Sequence, residues 1–253
     1  MLNRGAFDFL ILNNQTMKKT KKEKDGFTSV SGNVLDRRRF IKYAGATSGV
    51  AALILTACSD DDDNGMMNNG VDLGSGDSGI LNYAYALEQL EAAFYTTVVA
   101  HASFSTTFSA QEQTILTDIR DHEIAHREFF KTALGNNAIA DLEVDFSSVN
   151  FANRESVLNT AKTFEDLGVA AYNGAGNLLT DANLLLVAGK IVSVEARHAA
   201  AIRDLLNPKS TDFAGDNVVD VNGLDGALMP SEVLSAAGPF VKTPINASNL
   251  PTS

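Results

Sequence analysis

The chain has 253 residues, with 20 Lys+Arg against 31 Asp+Glu, a formal net charge of −11, one Cys and no Trp. A single cysteine excludes an intramolecular disulfide and a thiolate metal cluster. Residues 1–57 hold ten of the basic and four of the acidic residues, so the rest carries ten against twenty-seven, a formal −17; that balance argues against a nucleic-acid partner.

The first segment, 1–57, contains Asp36-Arg37-Arg38-Arg39-Phe40-Ile41-Lys42, followed by a Gly/Ala/Ser/Thr-rich apolar stretch from Tyr43 to Ala57. That stretch is too short to span a bilayer. The basic run resembles the twin-arginine export motif, with Asp36 where Ser or Thr is usual; an ordinary secretory signal is the alternative. The context Leu55-Thr56-Ala57-Cys58 resembles the lipobox of bacterial lipoproteins, which implies cleavage before Cys58 and lipidation at its thiol. The resemblance implies an exported protein anchored to a membrane through Cys58, periplasmic or on the outer-membrane surface. Met17, opening Met17-Lys18-Lys19, offers an alternative start. Residues 58–78 run from Cys58 into Ser59-Asp60-Asp61-Asp62-Asp63 and continue rich in Asn, Gly and Ser. Nothing there can bury a core, so a disordered tether is expected.

A folded unit is expected over 79–207. Its first helix runs from about Gly79 to Ala102, with Leu87, Leu90, Phe94 and Val98 on one stripe and Ala84, Glu88, Glu91, Tyr95 and Val99 beside it. The second opens on a capping box, Ser109 with Glu112, and stops at Leu134-Gly135. The third is expected from Asn153 to Leu179, and the fourth from Thr180 or Asp181 to Leu206, stopped by Asn207-Pro208. Short loops join helices one and two, and three and four, so each pair should be an antiparallel hairpin. The segment from Gly135 to Ala152 is long enough to run the length of a bundle. The expected fold is all-α, a four-helix bundle with one long crossover between helices two and three. Residues 208–253 read as a C-terminal extension strapped over the bundle, with a short helix at Ser231–Ala237 and no catalytic motif.

One motif occurs twice. Glu123-Ile124-Ala125-His126 and Glu195-Ala196-Arg197-His198 both read E-x-x-H, and on a helix residues i and i+3 share a face. Each pair lies on an apolar stripe: Leu116, Ile119, Glu123, His126, Phe130 for the second helix, and Ala188, Ile191, Glu195, His198, Ile202 for the fourth. Charged residues such as Asp118, Asp121, Lys190 and Arg197 take the opposite faces. Glutamates on a buried stripe are costly unless paired or metal-bound. Each pair also has an upstream glutamate followed seven residues later by a tyrosine, Glu88 with Tyr95 and Glu165 with Tyr172. Carboxylates with two imidazoles and no thiolate suit iron or manganese. His101 and His122 lie off these stripes and read as surface histidines.

These stretches resemble the ferritin-like superfamily, and more closely the bacterial ferritin-like domain proteins related to plant desiccation-related proteins. Leu87-Glu88-Gln89-Leu90-Glu91-Ala92, Thr163 to Tyr172, and Val194-Glu195-Ala196-Arg197-His198 carry the resemblance, which covers roughly 80–206. It implies two iron ions, with manganese as the substitute. It implies Glu123 and Glu195 as bridges, and His126, His198, Glu165 and Glu88 as terminal ligands, Glu91 being the alternative to Glu88. Tyr95 and Tyr172 are candidates to orient a carboxylate or relay an electron, or else are core tyrosines. The function implied is ferrous iron oxidation or reduction of O2 or peroxide in the cell envelope, in protection against stress. The alternatives are a non-enzymatic structural metal protein and, less in keeping with a tether and a long tail, a storage shell.

Overall fold

Helix signals in the sequence become helix ends in the computed structural model, which describes residues 70–215 and 217–252. Helix α1 spans Gly76–Ala100, α2 Ala110–Leu134, α3 Arg154–Gly176, α4 Ala182–Leu206 and α5 Pro230–Ala237. The Ser109 capping box is formed: Ser109 N–H donates to Glu112 Oε2 at 2.8 Å, and Glu112 N–H donates to Ser109 Oγ at 3.3 Å. Asn153 accepts from Ser156 N–H at 2.8 Å and Asp181 from Asn183 N–H at 2.7 Å, so side chains cap α3 and α4 as well. Gly135 ends α2 at φ 55°, a conformation that favours glycine.

The helices pair as two hairpins, α1 with α2 and α3 with α4, and the hairpins face each other to close the bundle. The connection from α2 to α3 is the long crossover. Two buried polar side chains of α1 hold it. Asn82 donates through Nδ2 to the carbonyls of Leu73 at 3.1 Å and Asn137 at 3.0 Å, and accepts from Ile139 N–H at 3.0 Å. Gln89 accepts from Leu142 N–H at 2.7 Å. Phe146 and Phe151 of the crossover then pack on Phe94 and, for Phe146, on Phe164 of α3.

The last part of the segment expected to be a disordered tether, residues 71–78, is structured. A two-residue strand, β1 at Val71–Asp72, lies parallel to β2 at Ile245–Asn246, and α1 begins at Gly76. The entry to the bundle is thus structured by pairing with the far end of the chain, a partner that local composition cannot reveal. Expectations for 1–57, including Arg37 and Arg38, and for lipidation at Cys58 lie outside the described residues. Among the described residues no helix is long and apolar enough to cross a membrane.

The C-terminal extension packs on both hairpins. Val233 and Ala237 of α5 are buried, and Lys242 N–H donates to Glu143 O of the crossover at 2.8 Å. Arg203, itself buried, forks onto both oxygens of Asp166 at 2.9 and 2.7 Å and ties α4 to α3. The tightest approach is at Gly174, where Leu228 N–H donates to Ala170 O at 3.0 Å. A Cβ on Gly174 would meet Leu228 O at 1.8 Å.

Gly174→Ala should therefore push the extension off α3 and lower stability by about 1–3 kcal/mol, the usual cost of overpacking. Thermal melting checks this, and an unchanged midpoint would show that the extension is not seated there.

Candidate metal centre

The apolar stripes that bury each helix also carry its glutamates to the bundle axis. Glu88 comes from α1, Glu123 and His126 from α2, Glu165 from α3, and Glu195 and His198 from α4. All four glutamates have no exposed surface; His198 is buried, and the His126 side chain is 14% exposed.

The six side chains form two overlapping groups whose donor atoms lie within 4.8 Å of one another. One is Glu88, Glu123, His126 and Glu195; the other is Glu123, Glu165, Glu195 and His198. Glu123 and Glu195 belong to both. His126 Nδ1 lies 2.8 Å from Glu195 Oε1, 3.4 Å from Glu88 Oε2 and 3.6 Å from Glu123 Oε2. His198 Nδ1 lies 2.8 Å from Glu123 Oε1, 3.4 Å from Glu165 Oε2 and 3.4 Å from Glu195 Oε2. The matching distances reflect the two-fold repeat of hairpins.

These atoms are close without being aligned as hydrogen bonds. Both oxygens of Glu123 and of Glu195, one each of Glu88 and Glu165, and Nδ1 of both histidines are buried with no hydrogen-bond partner. Buried polar atoms are nearly always satisfied. Eight that are not, all turned toward one space, fit a cation coordinated between them. The structure thus contains a buried carboxylate and imidazole cluster compatible with a metal site.

The two tyrosines cross between hairpins. Tyr95 of α1 donates to Glu165 Oε1 of α3 at 2.5 Å, and Tyr172 of α3 donates to Glu88 Oε1 of α1. Each tyrosine serves the glutamate of the opposite hairpin, not the one seven residues before it. The seven-residue spacing shows that both residues share a helix face; which glutamate the phenol reaches depends on helix packing.

Glu91 is buried but belongs to neither group. Its Oε1 lies 3.1 Å from the place a Cβ on Gly168 would occupy. Gly168 is three residues after Glu165, just as Glu91 is three after Glu88, so glycine on one hairpin makes room for the extra carboxylate on the other. His101 caps the end of α1, its Nδ1 2.8 Å from Ser103 Oγ. The reading of His122 as a plain surface histidine is corrected here. Its ring is exposed, yet its Nδ1 lies 2.8 Å from His198 Nε2. The contact joins α2 to α4, so no local spacing signals it.

Charge in the cluster follows from burial and proximity. Burial opposes protonation of both imidazoles, but the surrounding glutamates outweigh it: His126 stays far above its ordinary range and His198 is pushed up to about 12. Burial would raise Glu123, but the two adjacent imidazoles outweigh it and hold the carboxyl at about 2. Burial pushes Glu165 up to about 8, and burial with neighbouring glutamates raises Glu88 and Glu91 well above the carboxylate range. The His198 contribution to stability is complete below the unfolded histidine pKa and fades as pH rises toward about 12. That of Glu123 is present above the ordinary carboxylate pKa and is lost as pH falls toward about 2.

The sequence over residues 76–208, about half the chain, matches the family model of the ferritin-like domain. No curated protein matches the chain.

Cations filling both groups must displace the protons of both imidazoles, because a coordinating nitrogen cannot also carry a proton. Calorimetry near pH 7 in buffers of different ionisation enthalpy should report release of at least two protons per chain as the cluster fills. Affinity should climb with pH. Metal uptake without proton release would refute the charge state assigned to the imidazoles.

Proposed function

The chain belongs to the ferritin-like domain family, and on that premise we propose that it binds two iron ions, with manganese as the substitute, in a carboxylate-bridged centre. Glu123 and Glu195, common to both donor groups, would serve both ions; Glu88 with His126 would complete one position, and Glu165 with His198 the other. The observation that carries this reading is the set of eight buried, unpartnered donor atoms falling into two groups that share Glu123 and Glu195. Hard oxygen donors with two imidazoles suit these metals.

The activity we propose is ferrous iron oxidation coupled to reduction of O2 or peroxide, in protection of the cell envelope. When bound, a ferrous pair supplies two electrons, enough to reduce one peroxide with two protons to two waters. The chain's residues position and insulate that chemistry. Tyr95 and Tyr172 hold Glu165 and Glu88 in place through one oxygen each and leave the other oxygen for a cation. The four glutamates have no exposed surface, so the carboxylates of the centre lie away from bulk water. That same burial favours the second reading, a structural metal site in which the ions contribute folding energy. Export and lipidation at Cys58 place the domain outside the cytoplasm at the end of a tether in this proposal, on the strength of the Leu55-Thr56-Ala57-Cys58 context.

Loading the metal-free protein with ferrous iron should give two ions per chain by elemental analysis and should consume O2 or peroxide faster than free ferrous iron. Glu123→Ala and Glu195→Ala should lose both metal and activity, since each removes a shared ligand. Tyr95→Phe and Tyr172→Phe should retain metal and react more slowly. Two tightly bound ions with no acceleration would favour the structural reading, and the same bridge variants would then show their effect as lost thermal stability.

Location is tested separately. Cys58→Ser should move the protein from the membrane fraction to the soluble fraction, and identical fractionation of variant and parent would rule out the anchor.

A further inference from the structure

The residues just before the two E-x-x-H motifs differ. His122 precedes Glu123, and Val194 precedes Glu195. His122 reaches across to the histidine of the opposite hairpin, with Nδ1 2.8 Å from His198 Nε2 and the two rings nearly parallel at 23°, centroids 5.1 Å apart. Val194 has no group that could do the same for His126. Among the described residues no hydrogen bond is formed by His126 Nε2. The hairpins repeat closely at the inner ends of the imidazoles and differ at the outer ends.

We infer that His122 is a positioning residue: it accepts the Nε2–H of His198, fixes that imidazole with Nδ1 toward the cluster, and makes the two metal positions unequal. This rests on the metal-binding reading above. The direction of the bond follows from imidazole chemistry. For His198 to coordinate through Nδ1, its remaining proton must sit on Nε2, which then donates. His122 Nδ1 must therefore accept, and the His122 proton sits on its own Nε2. A partner on the outer nitrogen of a ligating histidine orients the ring and raises its basicity as a ligand. His198 has such a partner and His126 does not, so the position completed by Glu165 and His198 is the tighter of the two. Because the His122 ring is exposed, the same bond connects a buried ligand to the protein surface through one side chain.

Anaerobic calorimetric titration with ferrous iron on the full chain tests this, using three variants. His122→Leu keeps bulk but cannot accept a hydrogen bond, and His122→Ala removes the acceptor without adding apolar surface. His122→Asn carries Oδ1 at the same number of bonds from the backbone as histidine Nδ1 and can still accept. Leu and Ala should weaken one of the two binding events by about 10–100-fold, the range for removing such a partner, and leave the other unchanged. Asn should restore most of the loss. With zinc as a diamagnetic probe, nitrogen NMR of the parent should show scalar coupling between His198 Nε2 and His122 Nδ1 across the hydrogen bond, a signature that ring packing alone would not produce. Unchanged binding in Leu and Ala, equal loss in Asn and Leu, or equal weakening of both events would each overturn the inference while leaving the metal-binding proposal intact. A parent protein that takes up no iron would instead remove the proposal on which it rests.

Discussion

Everything in this molecule is arranged around the burial of four glutamates and two histidines at one level of a four-helix bundle. Carboxylates taken out of water carry a large desolvation cost, and opposite charge alone repays it only with good geometry. Here the imidazoles supply the counter-charge, two tyrosines supply hydrogen bonds, and eight donor atoms remain without a hydrogen-bond partner. The rise of Glu88 and Glu165 above the ordinary carboxylate range expresses the same cost. A core with such a deficit makes physical sense when the missing partner is a cation, as expected for a ferritin-like domain.

The repeat of two hairpins explains the near-equivalence of the two donor groups, and the departures from it are chemically specific. Glu91 stands on α1 where α3 has Gly168, and the absent side chain of the glycine leaves space for the carboxylate. His122 stands on α2 where α4 has Val194, and only the first can satisfy an outer imidazole nitrogen. Two ions held by these residues would share bridges but differ in surroundings. In redox chemistry such differences can set which ion binds or reacts first, and they arise from single side chains within a common scaffold.

Segments outside the four helices brace the bundle. Asn82 and Gln89 place polar atoms on the buried face of α1, and the crossover backbone satisfies them. The same contacts fix the path of the crossover. The C-terminal extension then adds backbone pairing to the crossover at Glu143, close packing at Gly174 and a parallel strand pair with the start of the domain. A cluster of charges at the centre needs walls that do not drift, because a shift of an ångström would separate imidazole from carboxylate.

The amino-acid sequence by itself determined the helical class, the hairpin pairing and, apart from the choice between Glu88 and Glu91, which residues could meet in the cluster. Those features depend on short-range relations: glutamate and histidine three apart on an apolar stripe, Ser109 with Glu112 at a helix start, a long segment between two short loops. Helix ends fell within a few residues of their signals for the same reason, since caps act on neighbouring backbone. Only the tertiary structure decided which tyrosine serves which glutamate, that His122 meets His198, that Glu88 joins the cluster while Glu91 faces Gly168, and that residues 71–72 pair with 245–246. Each of these is a contact between elements whose relative rotation and depth are set by packing of whole helix faces. No spacing along one helix carries that information.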